Sequence, residues 1–488
     1  MTALALTRRR LLASSVAAGA LPLLGSLPSW AQSPAVDLRV EKREIEIKGR
    51  SASVLGVRQS SGISGLTLDP GMPFRVDLQN ALAVPTIIHW HGQTPPPDQD
   101  GVPEFNVPAL LPGEIRSYDF PARFGTHWMH SHEGLQEQSL LAGPLIVRTK
   151  EDISADEQEV VVLFQDFSFS SPEELLASLT GGVMGGHDHS SMSHGSSGSM
   201  AGHDMSSMQS MAGMDHGAKP DLNDIDYDAY LANDRTLEDP EVVRTERGGR
   251  VRLRLINGSA GTAYWIDLGG TEATAIAVDG DPVEPIAGTR FPLAIAQRLD
   301  LRLTVPAGAM VPVLAQREGD TARTGILLAA PDASIVRIDG NAASEAPPAD
   351  LSLERRLKTT MPLATRPVDN ALTMTLTGTM TPYAWTIDGR NWGDHIPLRV
   401  KKGQRVGIKI VNKTMMAHPM HLHGHHFQIA ALDGVPLAGA LRDTILVMPE
   451  ATVDLIFDAD NPGRWLFHCH NLMHMATGMM TEVAYDPS

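Results

Sequence analysis

Histidine is the residue type whose arrangement in this sequence most clearly indicates chemistry. The chain has 19 histidines, and thirteen of the fourteen that lie outside residues 183–217 fall in four short clusters. Residues i and i+2 of an extended strand point to the same face, so each His-X-His pair presents two imidazoles on one side. Imidazole is a good ligand for copper. The pattern therefore predicts eight imidazole ligands, a plausible number for three copper ions, from His89/His91, His130/His132, His421/His423 and His468/His470.

The single cysteine of the chain lies inside the last histidine cluster. Cys469 is the central residue of a His-X-His pair, so strand geometry turns its sulfur to the opposite face, toward a different metal ion. His418, His474 and Met479 can complete that second site. Two histidines, one cysteine and a weak methionine ligand make a blue-copper electron-transfer site. A lone cysteine is more often an inert buried thiol, and the flanking histidines argue against that role here.

The elements that must position these residues are predicted to be β-strands. Five segments alternate apolar and polar residues with a period of two, and turn residues bound most of them. Helical signal is slight, and the best candidate is 172–179. The sequence therefore predicts an all-β chain with strands at Glu44–Lys48, Phe74–Leu78, Val251–Ile256, Leu299–Val305 and Val406–Val411.

A weak internal repeat predicts that the chain is built from three related domains. A segment that begins with glycine, continues as a strand and ends in asparagine occurs at 71–80, 249–257 and 403–412. Each occurrence is interpreted as the same strand of successive domains. We expect domain one at 36–150, domain two at 157–340 and domain three at 370–488, with a linker at 341–367.

Residues 183–217 differ in kind from the rest of domain two. They are almost only Gly, Ser, Ala, Asp, Met and His, with seven methionines and five histidines. Such a segment buries too little apolar surface to offset the entropy of ordering, so we expect a mobile inserted loop. Thioether sulfur selects Cu(I), so the insert could gather cuprous ions or screen the cysteine site. The alternative is that the insert is a linker whose composition has changed by drift and has no role in binding copper.

The first 31 residues are interpreted as a twin-arginine export signal. Paired arginines in 7–12 precede an apolar run that ends near Leu27, and small residues at Ser29 and Ala31 fit a signal-peptidase site. A membrane anchor is the alternative, but glycines and prolines interrupt the run, and no long apolar run follows later. We therefore expect a soluble periplasmic protein with no membrane span after signal removal. Its net charge of −17 argues against nucleic acid as a partner.

With four histidine blocks in this order, the mature chain resembles the three-domain bacterial multicopper oxidases, the group that includes laccases and copper-efflux (cuprous) oxidases. The resemblance implies three cupredoxin-like Greek-key β-sandwich domains and four copper ions. It also implies one-electron oxidation of a substrate coupled to four-electron reduction of dioxygen to water, with a trinuclear cluster between domains one and three. The ligands it implies are His418, Cys469, His474 and Met479 for type 1 copper, His89 and His421 for type 2, and His91, His130, His132, His423, His468 and His470 for the type 3 pair.

The resemblance also implies roles beyond the ligands. Asp100 matches an acidic residue near type 2 and type 3 copper, which implies a proton relay, whereas a residue of an Asp-Gly turn is the alternative. Copper-efflux members often carry a glutamate where this chain has Met475, and a carboxylate where it has Thr414. These departures leave a second proton route and a nearby Cu(I) site open. Four histidines match no ligand position and are expected to pack around the sites: His127, His395, His425 and His426.

The function hypothesis is a monomeric periplasmic cuprous oxidase that takes part in copper tolerance and has weaker activity toward phenols. Dioxygen is the acceptor, Cu(I) or small phenolic compounds are the reductants, and Asp100 and Cys469 are the candidate catalytic residues. A laccase that oxidises phenols or aromatic amines is one alternative. A non-catalytic copper-binding or division-associated protein is the alternative from another class.

Overall fold

The computed structural model describes residues 34–105, 107–181, 222–246 and 248–486. The described residues from 35 onward belong to a single compact unit. The predicted signal at 1–31 and the predicted insert at 183–217 lie outside the described residues. Among the helices that are described, none is long and apolar enough to cross a membrane.

The first part of the chain forms two four-stranded sheets, ordered β2-β1-β4-β6 and β3-β8-β7-β5. Two 3-10 turns, Pro97–Gln99 and Pro103–Phe105, lie on a connection between the two sheets. A third, Gln136–Ser139, lies between two strands of the second sheet. The strands are β1 (Val36–Ile47), β2 (Arg50–Gln59), β3 (Leu66–Leu68), β4 (Phe74–Asn80), β5 (Ile88–His89), β6 (Ile115–Phe120), β7 (Gly125–Ser131) and β8 (Ala142–Val147).

The middle part forms a six-stranded sheet, β10-β9-β12-β17-β14-β15, and a five-stranded sheet, β11-β19-β18-β13-β16. Its helices are α1 (Lys150–Ser154) and α2 (Pro172–Thr180), which both begin with capping boxes. The strands are β9 (Gln158–Phe167), β10 (Ala229–Ala232), β11 (Val242–Arg244), β12 (Arg250–Asn257), β13 (Tyr264–Asp267), β14 (Ala273–Val278), β15 (Asp281–Gly288), β16 (Arg290–Leu293), β17 (Arg298–Thr304), β18 (Met310–Arg317) and β19 (Arg323–Ala329).

The last part forms a seven-stranded sheet, β21-β20-β23-β29-β25-β26 with β27 beside β25, and a five-stranded sheet, β22-β31-β30-β24-β28. A 3-10 turn lies at Trp392–Asp394, and α3 spans Leu472–Ala476. The strands are β20 (Asn370–Met380), β21 (Tyr383–Ile387), β22 (Leu398–Val400), β23 (Arg405–Asn412), β24 (His418–Leu422), β25 (Phe427–Leu432), β26 (Val435–Pro436), β27 (Leu441–Arg442), β28 (Thr444–Val447), β29 (Thr452–Asp458), β30 (Arg464–Cys469) and β31 (Met480–Tyr485).

The prediction of an all-β chain is confirmed, and so is a helix beginning at Pro172. The five predicted segments all correspond to strands, but β1 begins at Val36, well before the predicted Glu44, and the other ends differ by at most two residues. Lys48 adopts φ +50° and opens a turn with Gly49, so β1 ends one residue earlier than predicted. Strand β17 likewise ends at Thr304, before Val305. The exact limits of the three domains stay a prediction.

The three repeated segments occupy the same place in their sheets. Strands β4, β12 and β23 each pair in parallel with one neighbour and antiparallel with another. Each ends in a buried asparagine, Asn80, Asn257 or Asn412, whose side-chain amide donates to a backbone carbonyl oxygen of the loop that follows and to at least one more in a distant segment. Buried amides held this way fix the loop that follows each strand. The loop after Asn412 leads directly to His418.

Hydrophobic packing joins the strand that bears His130 to the middle part of the chain. Trp128 of β7 is fully buried and lies in one core cluster with Leu163 of β9 and Ile256 of β12. Full burial of one large apolar side chain contributes roughly 1.5–3 kcal/mol. This packing holds β7 against a sheet that carries none of the predicted ligands.

Candidate metal centres

Two pairs of neighbouring strands carry the first group of histidines. In the first part of the chain, His89 of β5 lies directly opposite His130 of β7. In the last part, His421 of β24 lies directly opposite His468 of β30. Opposite residues of an antiparallel pair share a face with their i+2 neighbours, so each strand pair presents four imidazoles to one side.

The two imidazole faces meet, although they come from opposite ends of the chain. The Nε2 atoms of His89 and His421 are 3.5 Å apart across 332 residues of sequence. Those of His130 and His470 are 3.4 Å apart across 340 residues. All eight imidazoles are buried. The structure therefore brings together all eight histidines that the spacing singled out.

Most of these imidazoles are held through the ring nitrogen that faces away from the cluster. His89 donates to the carbonyl oxygen of Asp100 over 2.9 Å, and His421 donates to that of Asp443 over the same distance. Such outer hydrogen bonds leave the other ring nitrogen of each histidine free to bind a metal. The same arrangement holds for His468 with the Cys469 carbonyl oxygen, His130 with Glu137, His423 with Asp100 and His91 with Asp443.

Two inward nitrogens have no hydrogen-bond partner. His91 Nδ1 and His132 Nε2 are buried, and no polar atom of the described residues satisfies them. An unpaired buried nitrogen is costly unless a ligand completes it. Ligand atoms lie within 4.8 Å of one another in overlapping triplets, among them His89/His91/His130, His89/His421/His423 and His132/His423/His468. The donor set and its geometry fit several metal ions in one cage.

Burial lowers the pKa of seven of these imidazoles and so favours the neutral form that binds metal. Desolvation, together with the neighbouring imidazoles, holds the pKa of His130, His132 and His423 well below the usual range. Desolvation also lowers the pKa of His468 to about 4. Metal binding therefore requires no proton release from these residues at neutral pH.

The cysteine site lies on the other face of β24 and β30. Met420 is opposite Cys469 in the β24–β30 ladder, so the cysteine sulfur points away from the imidazole cage, as the sequence predicted. Its Sγ lies 3.7 Å from His418 Nδ1 and 3.6 Å from His474 Nδ1, and the two Nδ1 atoms are 3.1 Å apart. Burial raises the pKa of the Cys469 thiol, so a bound cation is needed to hold the thiolate there.

Met479 is brought to the same site by the backbone. Its N–H donates to the carbonyl oxygen of His474, and its own carbonyl oxygen accepts from the N–H of Cys469, each over 3.0 Å. Met479 is fully buried, and Gly478 before it adopts φ +121°, which favours glycine. All four residues predicted for this site therefore lie in one buried region.

The outer nitrogens of this second site also have partners. Thr414 Oγ1 lies 2.7 Å from His418 Nε2. Asp224 Oδ2 lies 3.1 Å from His474 Nε2 and accepts from Asn471 Nδ2 over 2.8 Å. Asn471 caps the N-terminus of α3, the helix that bears His474. The site is thus fixed from the last part of the chain and from the segment that begins at residue 222.

Sequence reasoning missed three buried acids that touch the candidate metal ligands. Glu137 Oε2 lies 2.8 Å from His130 Nδ1, and Asp443 Oδ1 lies 3.1 Å from His91 Nε2. Asp224 is the third. None of them belongs to a repeated spacing or a histidine cluster, so no pattern in the sequence distinguished them from ordinary acids.

The four remaining histidines hydrogen-bond to protein groups. His425 Nε2 lies 2.7 Å from the hydroxyl of Tyr485, and His426 Nδ1 lies 2.6 Å from Asp281. His127 and His395 each donate a ring N–H to a backbone carbonyl oxygen nearby. These contacts agree with the expectation that they pack around the sites.

A cavity of about 190 Å³ lies beside the second site. Three methionines line it, Met415, Met416 and Met448, together with Asn471 and the buried Glu318. Met415 is 66% exposed, so the cavity opens to solvent. Burial raises the pKa of Glu318 to about 7.

Without metal, the buried imidazoles should make the protein less stable in mild acid. Their pKa values lie below about 6.5, the value for an unfolded chain, so the unfolded state binds more protons as pH falls from 6.5 toward 4. Stability is therefore expected to be complete above pH 6.5 and to fall below it by about 1.4 kcal/mol per pH unit for each such imidazole. Urea unfolding of metal-free protein at pH 7.5, 6 and 5 measures this slope.

The variant His423→Asn is the control for this slope, since it removes one of the lowered groups. It should reduce the slope by about 1.4 kcal/mol per pH unit, whatever its effect on stability at pH 7.5. Equal stability of the metal-free protein at pH 7.5 and pH 5 would contradict the prediction.

Comparison with known proteins identifies the family. Family models described as multicopper oxidase match residues 39–152, 195–311 and 365–488. The chain is 33% identical over 431 residues to "Multicopper oxidase MmcO" of Mycobacterium tuberculosis, covering 84% of this chain and 79% of that protein. It is 27% identical to "Copper resistance protein A homolog" of Pseudomonas syringae pv. tomato, covering 96% of this chain and 95% of the relative.

A solved structure agrees with these matches. The multi-copper oxidase from Pseudomonas thermotolerans superposes with a TM-score of 0.66 at 26% identity, covering 93% of this chain and 99% of that chain. Members of the family are oxidoreductases that use oxygen and hold four copper ions of types 1, 2 and 3. With its buried imidazole cage and its separate Cys-His-His site, the chain belongs to the multicopper oxidase family.

Proposed function

We propose that this protein is a cuprous oxidase, which oxidises Cu(I) and passes the electrons to dioxygen. The observation that carries the proposal is the methionine-lined cavity beside the cysteine site. Thioether sulfur is a soft ligand that selects Cu(I) over harder ions. A relative whose name is a copper resistance protein supports the same substrate.

The ligand assignment is part of the proposal. We assign type 1 copper to His418, Cys469, His474 and Met479, and type 2 copper to His89 and His421. We assign the remaining six imidazoles to the type 3 pair in two sets of three whose rings lie close together: His91/His130/His470 and His132/His423/His468.

When bound, the four coppers supply one-electron oxidation of substrate and four-electron reduction of dioxygen to water. Cys469 joins the two centres through its own backbone, because His468 and His470 are its sequence neighbours. His468 Nδ1 also donates to the carbonyl oxygen of Cys469 over 3.0 Å, which adds a hydrogen-bonded route beside the covalent one. Strand β30 therefore connects electron entry to the imidazole cage.

Asp100 is proposed to hold a proton at the cage. Its Oδ2 accepts from His423 Nδ1 over 2.8 Å, while its buried Oδ1 lies 3.3 Å from His89 Nδ1, makes no hydrogen bond among the described residues and is the atom proposed to take the proton. The following Gly101 fixes this position, since it has φ +80° and a Cβ there would lie 1.9 Å from the carbonyl oxygen of Ile88. A second relay is not assigned, because the position after His474 is Met475.

Asp224 and Asn471 connect the cavity to type 1. Asn471 lines the cavity and donates to Asp224, whose carboxylate lies against His474 Nε2. A Cu(I) ion held by the methionine sulfurs is thus adjacent to the residues that contact the outer edge of a type 1 ligand. The carboxylate also favours a cation over a neutral substrate at this edge.

The size of the cavity favours Cu(I) over the phenols and aromatic amines of the laccase alternative. Pockets that bury small organic ligands are typically about 300–1,000 Å³. The cavity here is about 190 Å³, so a single ion fits it better than a phenol or an aromatic amine. We propose weaker activity toward phenols, at the exposed rim formed by Met415.

The location of the protein is proposed from its N-terminus. Paired arginines within residues 7–12, before an apolar run, support twin-arginine export to the periplasm. We propose that the exported protein works there as a monomer in copper tolerance.

The variant Cys469→Ser tests the type 1 assignment. Serine lacks the soft thiolate that gives type 1 copper its strong blue absorption, so the blue band should vanish while copper in the imidazole cage is largely retained. Copper content and visible spectra of the loaded protein measure both. A blue band in the variant would contradict the assignment of Cys469 as the thiolate ligand of type 1 copper.

Replacing the cavity methionines tests the substrate. In the triple variant Met415→Leu/Met416→Leu/Met448→Leu, the volume is nearly conserved but the sulfur is lost, so kcat/KM for Cu(I) should fall by about tenfold, equivalent to about 1.4 kcal/mol. Phenol oxidation should be unchanged. Oxygen consumption with each substrate measures the two activities.

Met361→Leu is the matched control, because Met361 is exposed and does not line the cavity. It should leave both activities unchanged. An equal loss of Cu(I) and phenol activity in the triple variant, or no loss of Cu(I) activity, would overturn the cuprous substrate.

A further inference from the structure

We propose that Arg298, from the middle part of the chain, is a positioning residue of the imidazole cage. It fixes the carboxylate of Asp443, which accepts from His91, while the backbone carbonyl oxygen of the same residue accepts from His421. The inference rests on the proposed assignment of these two histidines as copper ligands. It gives the middle part, which supplies no ligand, a direct role in the trinuclear centre.

Arg298 makes a two-pronged contact with Asp443. Its Nη1 donates to Asp443 Oδ1 over 2.8 Å, and its Nη2 donates to Oδ2. Both side chains are at most 1% exposed. A guanidinium fork that matches a carboxylate in this way fixes orientation as well as charge.

Arg298 is itself held in place by backbone groups. It donates to the carbonyl oxygen of Ala296 over 2.9 Å and to that of Thr126 over 3.3 Å. Thr126 belongs to β7, the strand that also carries His130. The guanidinium therefore connects β17, β7 and the Asp443 segment at one buried point.

Asp443 reaches two ligands that come from opposite ends of the chain. Its Oδ1 accepts from His91 Nε2 over 3.1 Å, and its carbonyl oxygen accepts from His421 Nδ1 over 2.9 Å. The rings of His91 and His421 are stacked, with centroids 3.6 Å apart and planes 14° apart. A shift of Asp443 would therefore move both rings of the stack.

The charge of Asp443 depends on Arg298. Burial alone would raise the pKa of this carboxyl, but the guanidinium of Arg298 holds it well below its usual range. A buried carboxylate that loses its partner is strongly destabilised. Without the guanidinium, the carboxylate of Asp443 would lose the two hydrogen bonds that fix its orientation.

Gly92, which follows His91, shows independently that the Arg298–Asp443 ion pair packs closely against the backbone. Gly92 has φ +87°, and a Cβ there would lie 2.7 Å from Arg298 Nη2 and 3.0 Å from Asp443 Oδ2. The ion pair thus packs directly against the backbone beside a ligand. A side chain at this position would displace the pair.

Arg298→Lys tests the proposal, because lysine keeps the charge but lacks the planar fork. We expect roughly tenfold weaker retention of trinuclear copper or more, with loss of near-ultraviolet type 3 absorption and an altered type 2 resonance. The type 1 blue band should persist, because Arg298 does not contact that site, and it reports that the protein is folded. Dialysis against a chelator, with copper analysis and both spectra, gives these readouts without an activity assay.

Arg405→Lys is the matched control. Arg405 is 2% exposed and makes a similar two-pronged contact with Asp458, over 2.7 and 3.0 Å, but touches no proposed ligand. It should retain all four coppers and both spectra. Wild-type copper retention and spectra in Arg298→Lys would overturn the proposal.

A second variant covers the case in which Arg298→Lys loses the blue band through misfolding. Arg298→Met/Asp443→Asn removes both charges together and leaves no unpaired buried ion. We expect this double variant to show the blue band and still lack normal type 3 absorption. Normal type 3 absorption would mean that the Arg298–Asp443 pair is only structural. A failure of the proposed ligand assignment is distinguishable, since the wild-type protein would then lack the four-copper spectrum.

Discussion

The structure depends on one constraint: eight buried imidazoles must stay close together in one cage with their binding nitrogens turned inward. Imidazoles packed this closely repel one another if they are charged, and burial favours the neutral form. Free rotation of any ring would scatter the binding nitrogens. Hydrogen bonds from the outer nitrogens to carbonyl oxygens and carboxylates prevent that rotation, as for His89 on Asp100 and His130 on Glu137.

The sandwich fold meets this constraint by using both faces of a strand pair. Strands β24 and β30 direct His421 and His468 to the cage and Met420 and Cys469 to the opposite face. Two centres of different chemistry are therefore separated by one strand, without any flexible connection. The loop after Asn412, fixed by its buried amide, sets the entry of His418 into the second centre.

The sequence predicted the parts of this site that follow a short period. Strand alternation placed the His-X-His pairs on one face and Cys469 on the other, and the structure has this arrangement. The repeated strand ending in asparagine was also found, because its signal lies within about ten residues. The family resemblance, and not the spacing of the histidines, predicted that histidines from the first and last parts of the chain form one site.

The parts that sequence reasoning missed depend on contacts between distant segments. Asp443, Arg298 and Glu137 are single residues without a local pattern, and only the packing of three sheet pairs brings them to the histidines. Asp224 follows a segment of unusual composition, but that composition does not indicate that Asp224 contacts a metal ligand. Charged residues are usually exposed, so their burial at a metal site is a property of the fold and not of the local sequence.

Anomalous diffraction from crystals of the copper-loaded protein, collected at the copper absorption edge, tests the central claim most directly. The account predicts one peak beside Cys469 Sγ and a cluster of three peaks enclosed by the imidazoles of β5, β7, β24 and β30. Peaks bound to only one end of the chain, or an imidazole cage without copper, would contradict it.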